Sequence, residues 1–146
     1  MSDCISCDLI ARRNRDEAPP WDNILRTEHF DVVHCYGTGL AGWIVLVSKP
    51  HLAALDELSE EAASEMGKLI RDVSIALKEI TGCKKTYVLQ LAEAEGHNHV
   101  HVHVIPRHAD IPDTHKGVNV FSYMKDEEVS EAERNDIAAQ LKQKLG

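Results

Sequence analysis

The chain has 146 residues, of which 43% are hydrophobic, and its formal net charge at pH 7 is −8. This length suits a single domain, residues 1–146, with a sizeable buried core. The acidic charge argues against nonspecific binding to duplex nucleic acid, which requires a basic surface, but it leaves room for a nucleotide site. No apolar run approaches the length of a membrane span or of a signal-peptide core, which predicts a soluble cytoplasmic protein with no membrane partner.

Two cysteines near the start, Cys4 and Cys7, have the Cys-x-x-Cys spacing that zinc sites use. A redox pair or two buried thiols would give the same spacing, because a lone pair of cysteines is weak evidence. A closed structural zinc site has four ligands, so two partners would have to come from elsewhere in the chain. The four cysteines do not suggest a secreted disulfide framework; they are Cys4, Cys7, Cys35 and Cys83.

The first half of the chain predicts a short helix followed by three strands. The helix is expected from Asp8 to Glu17, because the Pro19-Pro20 pair prevents it from continuing. The strands are expected at 23–26, 30–35 and 43–47, the last being a nearly continuous apolar run. We interpret the glycine-rich loop before the third strand as a connection, since a phosphate-binding loop would be followed by a helix.

The second half predicts a long helix, two strands and a last helix. Ser59 is the expected N-cap of the long helix and Gly82 its stop, while apolar residues three or four apart give it one buried stripe. Ser130 and Glu133 form a capping box at the last helix. A strand is expected at 85–91, and 118–123 is either a short strand or the edge of a lid. The class is therefore α+β with a mostly antiparallel sheet.

Four histidines alternate with other residues near the middle of the chain; they are His97, His99, His101 and His103. In a strand, side chains two residues apart share one face, so the intervening valines would face the core while the imidazoles form a column. Pro106 is expected to end this strand.

The histidine column is compatible with several kinds of chemistry. Imidazole can act as a base, an acid, a nucleophile or a neutral metal ligand near neutral pH. An affinity tag is excluded because the run is internal and interleaved with valine. A passive solvated face is disfavoured, and the residues alone leave a metal site and a catalytic strand equally open.

The run His99-Val-His101-Val-His103-Val-Ile resembles the signature of the histidine triad (HIT) family. The Cys4-x-x-Cys7 pair and the strand from Gly42 to His51 agree with the same family. The resemblance implies a HIT-like fold with a five-stranded sheet, one long helix and a C-terminal helix. It also implies a nucleotide substrate, because family members are mostly nucleotide hydrolases or nucleotidyltransferases, and a homodimer, because many of them are homodimers.

The resemblance further implies a structural zinc ion (Zn²⁺) near the N-terminus. In the zinc-bearing branch of the family, the histidine that closes the Lys-x-His strand and the first triad histidine complete the site. Carried over to this sequence, the ligands are Cys4, Cys7, His51 and His99. Such a metal would join the N-terminus to the catalytic strand.

The resemblance assigns a catalytic role to each triad histidine. His101 is the nucleophile, and its Nε2 must be unprotonated, so its Nδ1 should donate to a backbone carbonyl. His103 would bind the phosphoryl oxygens or the leaving group and could deliver a proton. His99 would orient the strand, by zinc ligation or by holding its neighbours.

The nucleotide-binding residues are expected around the loops that flank the sheet. Cys35 falls near the position that holds the ribose in relatives, and Trp43 replaces a histidine that many of them carry. Trp43 could stack on a base, although core packing is the favoured role. Gln90 could replace a phosphate-binding amide, and the N–H groups of Gly96 and His97 could bind an oxyanion.

The sequence therefore predicts a hydrolase that cleaves a nucleoside phosphoanhydride or phosphoramidate through a nucleotidyl-histidine intermediate. Dinucleoside polyphosphates and nucleoside phosphoramidates are examples of such substrates. One alternative is a nucleotidyltransferase that uses the same intermediate. The other is a non-catalytic zinc-binding protein, in which His101 and His103 would also be metal ligands.

Overall fold

The computed structural model describes residues 3–146, which contain one five-stranded antiparallel sheet and three α-helices. The strands are β1 (Leu25–Arg26), β2 (Phe30–His34), β3 (Ile44–Ser48), β4 (Lys85–Leu89) and β5 (His101–Arg107). Their order in the sheet is β1-β2-β3-β5-β4, and every neighbouring pair is antiparallel. The α-helices are α1 (Ile5–Asn14), α2 (Glu60–Thr81) and α3 (Glu131–Leu145). The predicted α+β class with one long helix and a C-terminal helix is confirmed.

Helix α1 begins earlier than the sequence predicted. It starts at Ile5 because Cys4 is its N-cap: the Cys4 sulfur accepts a hydrogen bond from the Cys7 N–H at 3.2 Å. A cysteine is not among the residues that usually cap a helix, so this start could not be recognised from the sequence. The cysteine pair therefore lies at the N-terminus of a helix.

Two other local strand predictions were wrong. The segment Gly117–Lys125 forms a 3-10 helix in place of a short strand, and the Tyr123 carbonyl accepts a hydrogen bond from Gly39. Strand β5 continues through Pro106 to Arg107. Pro106 lies beyond Val104, the last residue that pairs with β3, so the strand has no partner on that side and a missing N–H is tolerated there.

The long helix follows its sequence signals closely. The Ser59 hydroxyl accepts a hydrogen bond from the Ala62 N–H at 3.1 Å, and Gly82 ends the helix with a positive φ of 72°. Its buried stripe packs against one face of the sheet. Among residues 3–146, no helix is both long and apolar enough to cross a membrane.

The two faces of the sheet have different partners. Val102 and Val104 belong to a core formed with α2 and α3. The other face holds a second apolar cluster, in which Val45 and Val47 pack near the 3-10 helix Gly117–Lys125. Because side chains alternate along a strand, the buried valines of β5 direct His101 and His103 towards this second face.

A buried ionic cluster attaches α1 to the start of the sheet. The Arg13 guanidinium, with 1% of its side chain exposed, contacts Asp22 at 2.8 Å and Asp31 at 3.0 Å. Arg26 reaches the other oxygen of Asp31 at 2.7 Å. Each buried charge therefore has an opposite partner, which is the condition for tolerating it away from water.

Replacing Asp31 with alanine should leave Arg13 buried without one of its carboxylates, which costs about 3–5 kcal/mol. We expect urea denaturation to show this loss in the free energy of unfolding. The matched control is Asp72→Ala, which removes a partly exposed carboxylate paired with Lys68 and should cost less than about 1 kcal/mol. Equal losses in the two variants would contradict the assignment of the buried cluster as an anchor.

Candidate active site and metal centre

The histidine run is divided by the start of β5. His101 and His103 belong to the strand, whereas His97 and His99 lie in the preceding connection. This connection is held by hydrogen bonds from Val100 to the Leu52 carbonyl and from Ser48 to the Val100 carbonyl. The predicted single column is therefore split, and His99 contacts the cysteine pair while the other three histidines line a cavity.

Four side chains from separate parts of the chain meet beside the N-terminus of α1; they are Cys4, Cys7, His51 and His99. The two Nδ1 atoms of His51 and His99 lie 3.2 Å apart. The Cys7 sulfur is 3.3 Å from His51 Nδ1 and 3.6 Å from His99 Nδ1, and the Cys4 sulfur is 3.5 Å from His99 Nδ1.

These separations fit the edges of one coordination tetrahedron. Bond lengths to zinc of about 2.05 Å for nitrogen and 2.3 Å for sulfur predict edges of about 3.3 Å between nitrogens and about 3.6 Å between nitrogen and sulfur. The Nε2 of His99 donates to the Ser48 carbonyl at 2.6 Å, which leaves the Nδ1 lone pair directed at the cluster. The donor set can therefore hold a tetrahedral metal ion.

The chemistry of the cysteines also fits a cation at this point. Burial and the neighbouring Cys4 raise the pKa of Cys7 to about 11. The protein itself thus offers little compensation for a thiolate here. A bound divalent cation would supply that compensation, because metal coordination deprotonates thiols.

A cavity of about 320 Å³ opens on the second face of the sheet. Its walls come from α1, from β2, β3 and β5, and from the 3-10 helix Gly117–Lys125, and most of the lining is apolar. Its size lies within the range of small-molecule sites. The residues that contribute most to the chemistry of its walls are Ser6, Cys35, Tyr36, His97, His101 and His103.

His101 presents one free ring nitrogen to this cavity. Its Nδ1 lies 2.7 Å from the carbonyl oxygen of His99, which can only accept, so Nδ1 carries the proton. The Nε2 lone pair is then available to a ligand. This is the contact that the sequence analysis required of a nucleophilic histidine.

His103 lines the cavity and packs against aromatic side chains. The Trp43 indole N–H donates to His103 Nδ1 at 2.9 Å, and the rings of Trp43 and Phe121 stand at 90° to the imidazole. Burial lowers the pKa of His103 to about 3, with smaller contributions from His101 and His97. The ring is therefore neutral at physiological pH.

His97 connects the segment that contains Cys4 and Cys7 to the cavity. Its Nδ1 lies 2.9 Å from the Ser6 hydroxyl, inside the Cys-x-x-Cys segment, and its Nε2 lies 2.9 Å from the Tyr36 hydroxyl. Burial lowers the pKa of His97. Its ring is 6.1 Å from the ring of His101.

Solved structures of histidine triad proteins match the chain over nearly its whole length. A hypothetical histidine triad nucleotide-binding protein from Sulfolobus tokodaii strain7 has a TM-score of 0.71 at 20% identity, covering 95% of this chain and 91% of its own. A histidine triad protein from Bradyrhizobium japonicum has a TM-score of 0.70 at 23% identity, covering 92% and 95%. The chain has the histidine triad fold.

A zinc-bound histidine triad family protein from Mycobacterium smegmatis also shares this fold. Its TM-score is 0.68 at 17% identity, over 97% of this chain and 92% of its own. No protein-family model and no curated protein sequence matches the chain. At these identities the likeness establishes the histidine triad fold, so the chemistry has to be argued from this chain's own residues.

The structure brings some of the predicted nucleotide-binding residues to the cavity and leaves others away from it. Cys35 and His97 line the cavity, whereas Trp43 is fully buried and Gln90 and Gly96 do not form its walls. Burial raises the pKa of Cys35 to about 12, so its thiol stays neutral. The Gly96 carbonyl accepts a hydrogen bond from Ile5 at 2.7 Å, which attaches the loop before β5 to α1.

Several cavity residues were missed by the sequence analysis. Ser6 and Tyr36 gave a weak signal, since one lies inside the cysteine pair and the other opens the glycine-rich loop. Arg13 and Asp22 could not be recognised from the sequence, because their position at the cavity depends on the docking of α1. Phe121 also lines the cavity.

Stability should fall as the pH drops below about 6.5. Unfolded histidines take up protons near pH 6.5, whereas burial lowers the pKa of His34 to about 4 and that of His103 to about 3. The native state therefore binds fewer protons over this interval, and the free energy of unfolding decreases with decreasing pH. Urea denaturation between about pH 7 and pH 4.5 measures this dependence.

The control is His34→Gln, because His34 both donates to the Cys35 carbonyl and accepts from the Gly42 N–H. Glutamine can do both without titrating, so this variant should lose less stability over the same pH range. An unchanged pH dependence in the variant would contradict the role of buried His34.

Proposed function

We propose that this protein cleaves nucleoside phosphoanhydrides or phosphoramidates through a nucleotidyl intermediate on His101. The observation that carries the proposal is the 2.7 Å contact between His101 Nδ1 and the His99 carbonyl, which leaves Nε2 unprotonated at the cavity wall. Covalent catalysis by histidine divides one difficult displacement into two easier ones.

The cavity supports a nucleotide as the ligand. Its volume of about 320 Å³ suits a nucleoside, and its largely apolar walls, with Val33, Leu9 and Met124 among them, suit a planar base. His101 and His103 lie on the same wall with ring centres 5.0 Å apart, which is close enough for both to contact one phosphoryl group. The name of the Sulfolobus tokodaii protein as a nucleotide-binding protein agrees with this ligand class.

In the first step, the Nε2 lone pair of His101 attacks the α-phosphorus. A P–N bond forms as the P–O or P–N bond to the leaving group breaks, and the bonding electrons go to the leaving atom. A phosphate leaving group departs as an anion, whereas an amine takes up a proton from water. The Nδ1 of His101 keeps its proton throughout, because it donates to the carbonyl of His99, and this hydrogen bond orients the ring.

In the second step, water attacks the phosphorus and the P–N bond breaks. Its electron pair returns to Nε2, the water loses a proton to solvent, and the nucleoside monophosphate is released. An acceptor other than water would make the protein a nucleotidyltransferase with the same intermediate. The chain's own residues contribute orientation and hydrogen bonds in both cases.

We also propose that Cys4, Cys7, His51 and His99 bind structural zinc. The tetrahedral separations and the tautomer of His99 support this ion. When bound, zinc would join α1 to the segment before β5 and so hold the carbonyl that orients His101. A metal-only protein is less well supported, because the cluster of possible ligands contains neither His101 nor His103, and both of these side chains line the cavity.

Homodimer formation stays a prediction of the family resemblance. Strand β4 lies at one edge of the sheet, and Val88 on it is 45% exposed. Leu91, just after the strand, is 60% exposed. An edge strand with apolar side chains is a surface that a second copy could cover.

Replacing His101 with alanine should lower turnover by roughly 10³-fold or more, because the nucleophile is lost. The assay follows nucleoside monophosphate release from adenosine and guanosine phosphoramidates and from dinucleoside polyphosphates. The control is His108→Ala, which lies outside the cavity lining and should retain turnover. A wild-type protein that cleaves none of these substrates, or an active His101→Ala variant, would contradict the proposed function.

Metal analysis of the purified protein should give one zinc ion per chain. Cys7→Ser should reduce the zinc retained after incubation with a chelator, because it weakens one of four ligands. His101→Asn should bind as much zinc as wild type, since His101 faces the cavity. Loss of zinc in His101→Asn would favour the metal-only alternative over the enzyme.

A further inference from the structure

We propose that Trp43 is a positioning residue that holds His103 as a neutral hydrogen-bond donor. In this arrangement His103 stabilises charge on the phosphoryl oxygens and does not supply a proton to the leaving group. The inference rests on the proposed function for its catalytic meaning, while the tautomer of His103 follows from the structure alone. Trp43 lies outside the cavity and acts only through His103.

The direction of the Trp43–His103 hydrogen bond is fixed by chemistry. An indole nitrogen can only donate, so at 2.9 Å the Nδ1 of His103 must accept. A neutral imidazole that accepts at Nδ1 carries its proton on Nε2. Both side chains are buried, with 0% of Trp43 and 8% of His103 exposed, so water does not compete for this bond.

The surrounding rings prevent His103 from turning to another arrangement. Trp43, Phe121 and His101 stand nearly perpendicular to the imidazole, with ring centres at 5.6, 5.2 and 5.0 Å. A flip of the ring would place carbon opposite the indole N–H and leave a buried donor unpaired. The Nε2–H donor is therefore kept on the side away from Trp43.

The charged form of His103 is disfavoured by the same contact. Protonation would place an N–H at Nδ1 directly against the N–H of Trp43. The titratable groups near the ring are His101 and His97, neither of which is an acid that could stabilise a cation. The residues paired with His103 on the neighbouring strands, Val45 and Leu89, are apolar.

A neutral Nε2–H donor can bind a phosphoryl oxygen but cannot act as an efficient acid. Giving up the Nε2 proton would form an imidazolate, because Nδ1 has no proton of its own and Trp43 has none to give near neutral pH. The hydrogen bond from His103 therefore strengthens as negative charge develops on the phosphoryl group. A proton required by the leaving group has to come from water.

Two substitutions of Trp43 separate the hydrogen bond from the aromatic packing. Trp43→Phe removes the N–H, whereas Trp43→His retains a five-membered ring that can place an N–H where the indole nitrogen lies. We expect ¹⁵N NMR of wild type to show the Nε2–H tautomer of His103 from about pH 5 to pH 8. In Trp43→Phe, His103 should lose this single tautomer and should become protonated at a higher pH than in wild type. Trp43→His should restore the Nε2–H tautomer of His103.

Single-turnover formation of the nucleotidyl adduct provides the catalytic measurement. Trp43→Phe should slow it about tenfold, the effect of one hydrogen bond, and add a new ionisation to its pH profile. Trp43→His should recover most of the rate. Phe121→Leu is the control for ring packing, and its His103 should keep the Nε2–H tautomer.

The outcomes separate this inference from the proposed function. An Nδ1–H tautomer or a charged His103 in wild type near pH 6 would overturn the inference without any variant. An unchanged tautomer, rate and pH profile in Trp43→Phe would overturn it as well. A wild type that shows the Nε2–H tautomer but forms no adduct would contradict the proposed function and still support the assignment of Trp43.

Discussion

The cysteine–histidine cluster and the cavity both depend on the position of one residue, His99, which lies between them. Its imidazole donates to the Ser48 carbonyl and turns its other nitrogen towards the two cysteines and His51. Its own carbonyl accepts from His101 and sets the tautomer of that ring. The candidate metal centre and the proposed nucleophile are thus coupled through the backbone of a single residue, because a shift of His99 would move both.

Each triad histidine has a different hydrogen-bond partner. His99 faces thiols, His101 faces a carbonyl, and His103 faces an indole N–H. The acceptor or donor character of the partner decides which ring nitrogen keeps the proton. Three identical side chains in one short segment therefore become a candidate metal ligand, a candidate nucleophile and a neutral donor.

The spacing of apolar residues predicted the sheet, the long helix and the valine face of β5 well, because Val102 and Val104 pack into the same core as the buried stripe of α2. The four possible zinc ligands followed from the family resemblance, and the structure places them together. Cys4 as a helix cap and the continuation of β5 through Pro106 could not be predicted. The first depends on the hydrogen bond from the Cys7 N–H, and the second depends on the end of β3 pairing at Val104. The pairing of Trp43 with His103 joins residues far apart in sequence, so no local pattern indicates it.

The most direct test of His101 as the nucleophile is mass spectrometry of the protein after brief mixing with a substrate. We expect a transient mass increase of one nucleoside monophosphoryl group, located on the peptide that contains His101. This adduct should be absent from His101→Ala protein. Release of nucleoside monophosphate without an adduct under single-turnover conditions, or an adduct on another residue, would contradict the assignment of His101 as the nucleophile.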